Sequence, residues 1–478
     1  MRRRCLGSQH VVQLAGGGAA DDGGYRRIKA SIRAGILRAD GLFFLPWRAA
    51  GFPVSDMIAE DDGEDRSSAE RRDFVRRSGV LTAGALMSMV PPAVRQGAWA
   101  AGSDAPEQRE VRVGFIPLTD CASVVVAATE GFDRKHGIRI VLSKESSWAA
   151  IRDKLVSGEL DAAHVLYGLV YGVQMGIGGL QNDMAVLMTL SNNGQGITLS
   201  NQLRERGATN GPKLKALVDA EPGRLTFAQT FPTGTHAMWL NYWLAAHGID
   251  PLDDVRNIVV PPVQMVANLR AGNMAGCCVG EPWNARAIFD HVGFSVAVSQ
   301  DIWKDHPEKV LGTTGEFVRQ HPNTARALTM AVLEASRYIE TGANRSAVAA
   351  LIADRAYVDT AEDVIEQRFL GHYEDGLGRR WRDPNPMRFH NDGAVNFPWL
   401  SDGMWFLTQH RRWGLLEADP DYLAVASQVN QVELFREAAT QINVPLPAQP
   451  MRSSTLIDGS VWDGSDPVRY AGGFALHA

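Results

Sequence analysis

The sequence predicts an α/β protein built from two related lobes. Strand-like and helix-like segments alternate from residue 111 and again from residue 224, and such alternation is typical of sheets with parallel strands. One apolar–glycine–apolar spacing occurs in both halves, as Leu155, Gly158 and Val165 and as Leu269, Gly272 and Val279. This repeat favours two lobes over one large sheet.

The first lobe begins with a strand at residues 111–116, where apolar residues alternate. Thr119 or Asp120 can cap the helix that follows, and Gly137 ends that helix. A second strand at residues 138–142 completes a strand–helix–strand unit. We therefore expect a sheet with parallel strands in this lobe.

The second lobe repeats this organisation. A strand at residues 225–228 precedes a helix over residues 233–244, and the next strand covers residues 258–260. We expect the chain to cross between the lobes near residues 195–224 and 280–300.

These patterns divide the mature chain into three parts. Residues 108–200 form the first part of lobe 1, residues 220–285 form lobe 2, and residues 300–478 complete lobe 1 and add a helical, tryptophan-rich C-terminal region. We expect the tryptophans of this region to pack it against a lobe. They are Trp381, Trp399, Trp405 and Trp413.

The N-terminal hundred residues differ from the rest of the chain. Residues 1–70 are expected to form a disordered leader, in which Met57 is a second candidate start. Residues 71–100 have the order of an export signal, with Arg71 and Arg72 before an apolar run and small residues at the end. The paired arginines indicate the twin-arginine type.

Composition and motifs exclude several classes of function. The net charge of −6 gives no electrostatic basis for nucleic acid binding. Phosphate-loop, nucleophile-elbow and zinc-protease motifs are absent from the sequence, and its histidines lack metal-ligand spacing. Of the four cysteines, Cys121, Cys277 and Cys278 are expected to be buried free thiols. The sequence therefore predicts no enzyme, no cofactor and no metal site.

Polar and aromatic residues instead occur where strands end and helices start, which is where ligands bind in open α/β sheets. They are Trp148, Gln195 between two glycines, His236, and Val279 with Gly280. A helix start with free backbone N–H groups favours an anion. Each residue taken singly also has a purely structural interpretation as a cap, a turn or a core residue.

The same segments resemble the nitrate- and bicarbonate-binding proteins of ABC transporters. The resemblance extends from about residue 111 into the C-terminal region. It is carried by residues 146–148 (SSW), 193–199 (NGQGITL), 231–239 (FPTGTHAMW), 278–284 (CVGEPWN) and 303–309 (WKDHPEK).

This resemblance implies a type II periplasmic-binding-protein fold, with two Rossmann-like lobes joined by a two-crossing hinge. It implies a periplasmic protein that delivers nitrate or nitrite to permease and ATPase subunits and that can associate with the membrane through the permease. The ligand-binding residues it implies are Trp148, Gln195, His236, Pro262, Val279, Gly280 and Lys309.

The residue type at position 309 is expected to distinguish nitrate binders from bicarbonate binders within the family. The resemblance implies that bicarbonate binders have an acidic residue there, because bicarbonate carries a proton and benefits from an acceptor. A lysine favours nitrate, which accepts hydrogen bonds only, and nitrite fits equally well. The alternatives are a nitrate-sensing regulatory protein of the same fold, a bicarbonate or sulfonate binder, and an enzyme related to pyrimidine-precursor synthases.

Overall fold

A computed structural model of the chain describes residues 104–477. The predicted leader at residues 1–70 and the predicted signal at residues 71–100 lie outside this part. Within it, no helix is both long enough and apolar enough to cross a membrane.

The described part contains fourteen strands. In chain order they are β1 Glu110–Phe115, β2 Arg139–Lys144, β3 Ala162–Leu166, β4 Met184–Asn192, β5 Gln195–Ser200, β6 Thr226–Gln229, β7 Arg256–Val259, β8 Gly276–Gly280, β9 Gly293–Val298, β10 Pro307–Thr314, β11 His372–Glu374, β12 Arg380–Arg382, β13 Ser454–Thr455 and β14 Val461–Trp462.

Between residues 104 and 477 there are also eighteen α-helices. In chain order they are α1 Ala122–Thr129, α2 Phe132–Lys135, α3 Trp148–Val156, α4 Tyr167–Gln174, α5 Asn201–Glu205, α6 Gly211–Ala220, α7 Thr235–Ala246, α8 Met265–Arg270, α9 Trp283–Phe289, α10 Ser299–Ile302, α11 Gly315–Gln320, α12 Pro322–Glu340, α13 Gly342–Ala353, α14 Glu362–Phe369, α15 Leu400–Arg412, α16 Tyr422–Val429, α17 Val432–Gln441 and α18 Pro467–Gly472.

Two five-stranded sheets organise the molecule. The first has the order β2-β1-β3-β10-β4 and the second the order β7-β6-β8-β5-β9. In each sheet four strands run in the same direction and one runs antiparallel to both of its neighbours, namely β10 in the first and β5 in the second. The predicted two-lobed α/β fold of the periplasmic-binding type is therefore confirmed.

The repeated spacing marks equivalent places in the two lobes. Gly158 follows α3 and Gly272 follows α8, and both adopt a φ of +74°. Because L-residues with a side chain rarely adopt this backbone conformation, glycine ends both helices. Each helix then leads into a buried strand, β3 in one lobe and β8 in the other.

The chain crosses between the sheets at positions that differ from those predicted. β4 belongs to the first sheet and β5 to the second, so the first crossing is at Asn193 and Gly194. β9 belongs to the second sheet and β10 to the first, so the second crossing lies between residues 298 and 307. The predicted lobe boundaries at residues 200, 220 and 285 are displaced accordingly, because residues 195–200 pair with β8 and β9.

The first helix of lobe 1 is also interrupted. The predicted single helix is divided into α1 and α2 by Gly131, which has a φ of +82°. Neither Thr119 nor Asp120 caps it, since both lie in a short 3-10 turn, Thr119–Cys121, and the helix begins without a side-chain cap. Asp120 is thereby left available for the contacts described below.

Aromatic residues of the C-terminal region pack it onto both lobes. Trp405 of α15 stacks on Trp239 of α7 with ring centroids 4.7 Å apart. The neighbouring Phe406 lies 5.2 Å from Tyr167 of α4. Trp405 and Trp413 are buried, whereas Trp381 and Trp399 are partly buried.

Candidate functional site

Five ionisable side chains meet between the two sheets, and each of them is fully buried. The first sheet and the turn after β1 contribute four of them, and the start of α7 contributes the fifth. They are Asp120, His164, Glu308, Lys309 and His236. Charged groups are rarely this deeply buried without partners, so the contacts among them determine what the site can bind.

Lys309 is paired with two carboxyl groups. Its Nζ lies 2.8 Å from Oδ2 of Asp120 and also donates to Oε1 of Glu308. Burial alone would lower the pKa of Lys309, but the two carboxyl groups outweigh it and the pKa is raised. Lys309 is therefore a cation in the folded protein.

Asp120 is the carboxylate that balances this cation. His164 Nε2 lies 2.7 Å from Asp120 Oδ1, on the opposite oxygen from Lys309. Burial raises the pKa of Asp120, but Lys309 and His164 together outweigh it and lower that pKa. Burial lowers the pKa of His164 against the opposing effect of Asp120, so His164 is neutral near pH 7.

An irregularity in β10 brings Glu308 and Lys309 to the same cluster. In a regular strand, consecutive side chains point to opposite faces of the sheet. Here the pairing of β10 with β4 shifts register on both sides of Lys309, since Pro307 pairs with Asn192 and Lys309 with Ser191. A bulge of this kind redirects side chains, so Glu308 reaches His236 while the adjacent Lys309 reaches Asp120, and the two also contact each other.

Trp148 covers the ammonium group of Lys309. It is the first residue of α3, whose start is capped by the hydroxyl of Ser147 accepting from Ala150 N. Lys309 Nζ lies 5.6 Å from the centre of the indole ring, within the range of a cation–π interaction. The indole Nε1 of Trp148 is buried and has no hydrogen-bond partner among residues 104–477.

His236 approaches from the second lobe, in the first turn of α7. Its Nδ1 lies 2.5 Å from the hydroxyl of Thr230, and its Nε2 lies 3.5 Å from Oε1 of Glu308. Burial, with Lys309 close by, lowers the pKa of His236 well below its ordinary value, so the ring is neutral. If Nδ1 accepts from Thr230, Nε2 carries the proton.

Gln195 and Gly280 face each other on the neighbouring strands β5 and β8. A side-chain Cβ at Gly280 would lie 3.5 Å from Nε2 of His236 and 3.7 Å from Oδ2 of Asp120. Glycine therefore keeps open the space next to the cluster. The carbonyl of Val279 accepts from the amide of Asn284.

Of the seven sequence-predicted residues, the structure brings Trp148, His236, Gly280 and Lys309 around one cluster. Gln195 adjoins it through its pairing with Gly280 and through Cys278 Sγ, 3.8 Å from its Oε1. Pro262 is buried in a short turn after β7, and its place in the pocket stays a prediction. The binding roles of all seven remain predictions as well.

Sequence reasoning did not identify Asp120, His164 and Glu308 as site residues. Asp120 follows the carboxyl end of a parallel strand, which is the position that could have indicated it. His164 lies inside a buried strand and gives no local signal. Glu308 precedes Lys309, so regular strand alternation places it on the opposite face.

In the described part of the chain, one group of side chains, outside this cluster, has the spacing of metal ligands. Ligand atoms of Asp250, Asp253 and His477 lie within 4.8 Å of one another. Asp253 is exposed, and His477 Nε2 already contacts Asp250 at 2.6 Å. The three cysteines of the described residues are free and buried, as expected.

Comparison with known proteins agrees with this architecture. A model of the NMT1-like family matches residues 104–353. The crystal structure of the periplasmic nitrate-binding protein from Synechocystis superposes with a TM-score of 0.75 at 36% identity, covering 78% of this chain and 100% of that chain.

Sequence relatives point to the same group. The nitrate/nitrite binding protein of Synechococcus elongatus is 40% identical over 395 residues, which cover 79% of this chain and 88% of that protein. The bicarbonate-binding protein of a Synechococcus species is 29% identical over 396 residues, which cover 78% and 88%. The chain therefore belongs to the NMT1-like family and, within it, to the group that contains the nitrate- and bicarbonate-binding periplasmic proteins.

Proposed function

We propose that this chain is the periplasmic substrate-binding component of an ABC importer and binds nitrate between its two lobes. The observation that carries the proposal is a fully buried ammonium group with unpartnered hydrogen-bond donors beside it. Among the described residues, the buried nitrogens without a partner include Trp148 Nε1, Gln195 Nε2 and His236 Nε2.

Unpartnered buried donors favour a ligand that only accepts hydrogen bonds. Leaving a buried donor unsatisfied costs about 1–3 kcal/mol, so three of them together require an acceptor or a destabilised fold. Nitrate is planar, singly charged and without a proton. Its three oxygens match several convergent donors, and Lys309 supplies the nearby positive charge. Nitrite meets the same requirements.

Bicarbonate is the second candidate, favoured by the acidic residues of the cluster. An ionised Glu308 would accept a hydrogen bond from the hydroxyl group of bicarbonate. An acidic residue at position 309 would do the same. Asp120 already balances Lys309, however, so bicarbonate beside an ionised Glu308 brings the buried charge to −2, whereas nitrate needs no acceptor and can bind beside a neutral Glu308, where the buried charge is −1. This charge balance favours nitrate.

Isothermal titration calorimetry of the purified chain with nitrate, nitrite, bicarbonate and taurine tests the proposal. We expect nitrate and nitrite to bind and taurine not to, because the fully buried cluster offers donors to a small acceptor anion and no partner for taurine's ammonium group besides carboxyls already paired with Lys309. Binding of taurine or bicarbonate in preference to nitrate would contradict the ligand assignment.

A substitution of Lys309 tests the site itself. Lys309→Met keeps the length of the side chain and removes its charge, which should weaken nitrate binding about ten- to hundredfold, the equivalent of a charge-assisted hydrogen bond. Lys304→Met is the matched control, since Lys304 is exposed and five residues away. Equal nitrate affinity in the two variants would remove Lys309 from the site.

Lys309→Met leaves Asp120 without its cation and risks loss of the fold. Trp148→Phe provides a second test, because it retains the aromatic ring and removes only the indole N–H. We expect a weaker nitrate affinity with a thermal unfolding midpoint close to that of the unmodified chain.

The same proposal includes the route of export, the periplasmic location and the importer subunits that receive the ligand. Export through the twin-arginine signal at residues 71–100 would deliver the folded binding protein to the periplasm. There it would pass nitrate to permease and ATPase subunits. An importer subunit has no need of catalysis, and neither the motifs of the sequence nor the buried cluster suggests a reaction.

A further inference from the structure

The buried cluster holds more potential negative charge than a bound anion can tolerate. Lys309 Nζ contacts both Asp120 and Glu308, and the three side chains are fully buried. Asp120 alone balances the ammonium group. If Glu308 were also ionised, a bound nitrate would bring the buried charge to −2 with nothing to offset it, which a low-dielectric site strongly disfavours.

The two oxygens of Glu308 have different surroundings. Oε1 accepts from Lys309 and lies 3.5 Å from His236 Nε2. Oε2 is buried and has no hydrogen-bond partner anywhere in residues 104–477. An ionised carboxylate would leave this acceptor unsatisfied, whereas a proton on Oε2 would make it a donor that requires an acceptor.

We propose that Glu308 binds the anion as a neutral carboxylic acid, donating a hydrogen bond from Oε2 to an oxygen of nitrate. This inference rests on the proposed function and adds a further donor to the predicted site. The proton balance is simple: where Glu308 is ionised in the free protein, one proton from solvent joins Oε2 as one nitrate binds. No covalent bond to the ligand forms.

Among the titratable side chains of the cluster, Glu308 is the one whose protonation state changes near neutral pH. Burial raises the pKa of Glu308 to about 8, with Lys309 opposing and Asp120 adding to the shift. The other charged or titratable side chains of the cluster and its surroundings come from four elements besides β10, which carries Lys309: Asp120 in the turn after β1, His164 on β3 next to Asp120, His236 on α7, and Cys278 on β8.

These neighbours keep their protonation states between pH 6.5 and pH 9.5. The pKa of Asp120 is lowered and that of Lys309 raised, so both stay charged. Burial lowers the pKa of His236 and raises that of Cys278, so both stay neutral. Nitrate affinity should then be constant up to about pH 7.5 and fall towards tenfold per pH unit above pH 8.

Calorimetric titration of the full chain with sodium nitrate at pH 6.5, 7.5, 8.5 and 9.5 tests the proposal. Each titration is repeated in buffers with different ionisation enthalpies, which measures the protons taken up. We expect almost no uptake at pH 6.5 and close to one proton per nitrate at pH 9.5. A wild-type affinity that is the same at all four pH values, without proton uptake, overturns the inference.

Glu308→Gln is the informative variant, because the amide keeps the shape and a donor but cannot titrate. We expect an affinity that does not change with pH and no proton uptake. The matched control, Glu316→Gln at an exposed position of α11, should retain the wild-type pH profile. A Glu308→Gln protein that still takes up a proton contradicts the assignment.

The failures of the two proposals are distinguishable. Absence of nitrate binding at every pH would overturn the proposed function. Binding without pH dependence would overturn only the role of Glu308. Should Glu308→Gln not fold, the proton uptake of the wild-type chain decides the question by itself.

Discussion

At the scale of single residues, the site depends on which charges are already balanced. Lys309 was expected to favour nitrate over bicarbonate, and its full burial agrees with a place inside the molecule. It is nonetheless paired with Asp120 at 2.8 Å and with Glu308. The ammonium group is therefore already paired with two carboxyl groups, and the neutral donors around it supply much of the hydrogen bonding that a bound anion requires.

Gly280 provides a residue-scale prediction. In Gly280→Ala the new Cβ would lie 3.2 Å from Leu118 Cδ2 and 3.5 Å from His236 Nε2. Because the neighbours must move to accommodate it, we expect nitrate affinity to fall about tenfold or more, from an overpacking cost of about 1–3 kcal/mol. Nitrate calorimetry measures the loss.

Gly342→Ala is the control for this substitution, since a Cβ at Gly342 meets no atom within 4 Å. It should leave nitrate affinity unchanged. If Gly280→Ala binds nitrate as tightly as Gly342→Ala does, the space beside Gly280 is not occupied by the ligand.

At the scale of elements, one helix of the C-terminal region connects the two lobes. α15 places Trp405 against Trp239 of α7 and Phe406 against Tyr167 of α4. His410 of the same helix donates from Nε2 to the carbonyl of Thr233, 2.9 Å away, just before α7. These contacts hold α4 and α7, which flank the site, in a defined relation.

The element-scale prediction is a loss of stability in Trp405→Ala. The substitution removes a fully buried indole from an aromatic cluster and should lower the free energy of unfolding by about 3–5 kcal/mol. Urea denaturation followed by circular dichroism measures this loss. Trp381→Ala, at a partly buried position on β12, should cost clearly less. Equal losses of unfolding free energy in the two variants would mean that the packing of Trp405 in α15 does not hold the lobes together.

At the scale of the whole molecule, several buried histidines make stability depend on pH. Burial is the main cause of the lowered pKa at each of them: about 3 at His306, about 4 at His410, and lowered at His164 and His236. The unfolded chain binds protons at these residues below about pH 6.5, whereas the folded chain does not. Stability is therefore complete above that pH and is lost as the pH falls.

We expect the free energy of unfolding to decrease between pH 6.5 and pH 5 by up to about 1.4 kcal/mol per pH unit for each such histidine. Urea denaturation at several pH values measures the slope. His410→Gln should reduce this slope, because it removes one of the buried imidazoles, and His372→Gln at an exposed position is the matched control for a histidine-to-glutamine substitution. A slope that does not respond to His410→Gln would contradict this origin of the pH dependence.

Export is a further prediction for the whole molecule, made from sequence because the signal lies outside the described residues. Arg71→Lys together with Arg72→Lys should prevent export, since the paired arginines define the twin-arginine type. Fractionation of cells followed by immunoblotting measures the periplasmic amount. Normal periplasmic accumulation of the double variant would remove the targeting proposal.

Local chemistry let the sequence predict much of this architecture. Alternating apolar residues predicted the early strands, and the repeated spacing around Gly158 and Gly272 indicated two related lobes, in which both glycines adopt a φ of +74° and follow a helix. The resemblance of short segments pointed to the family, and four of its implied residues lie around one cluster. Predictions of this kind succeed because each depends on neighbours within a few positions along the chain.

Only the tertiary structure decided what surrounds Lys309. Asp120 looked like a helix cap from its position in the chain, and Glu308 belonged on the opposite face of a regular strand. Because Asp120 lies in a 3-10 turn, it does not cap the helix and its carboxyl group is available to the cluster. The bulge in β10 turns Glu308 towards the same cluster. The balance of charge in the site comes from side chains up to 189 residues apart, and their pairing depends on how the sheets fold together, which no local pattern encodes.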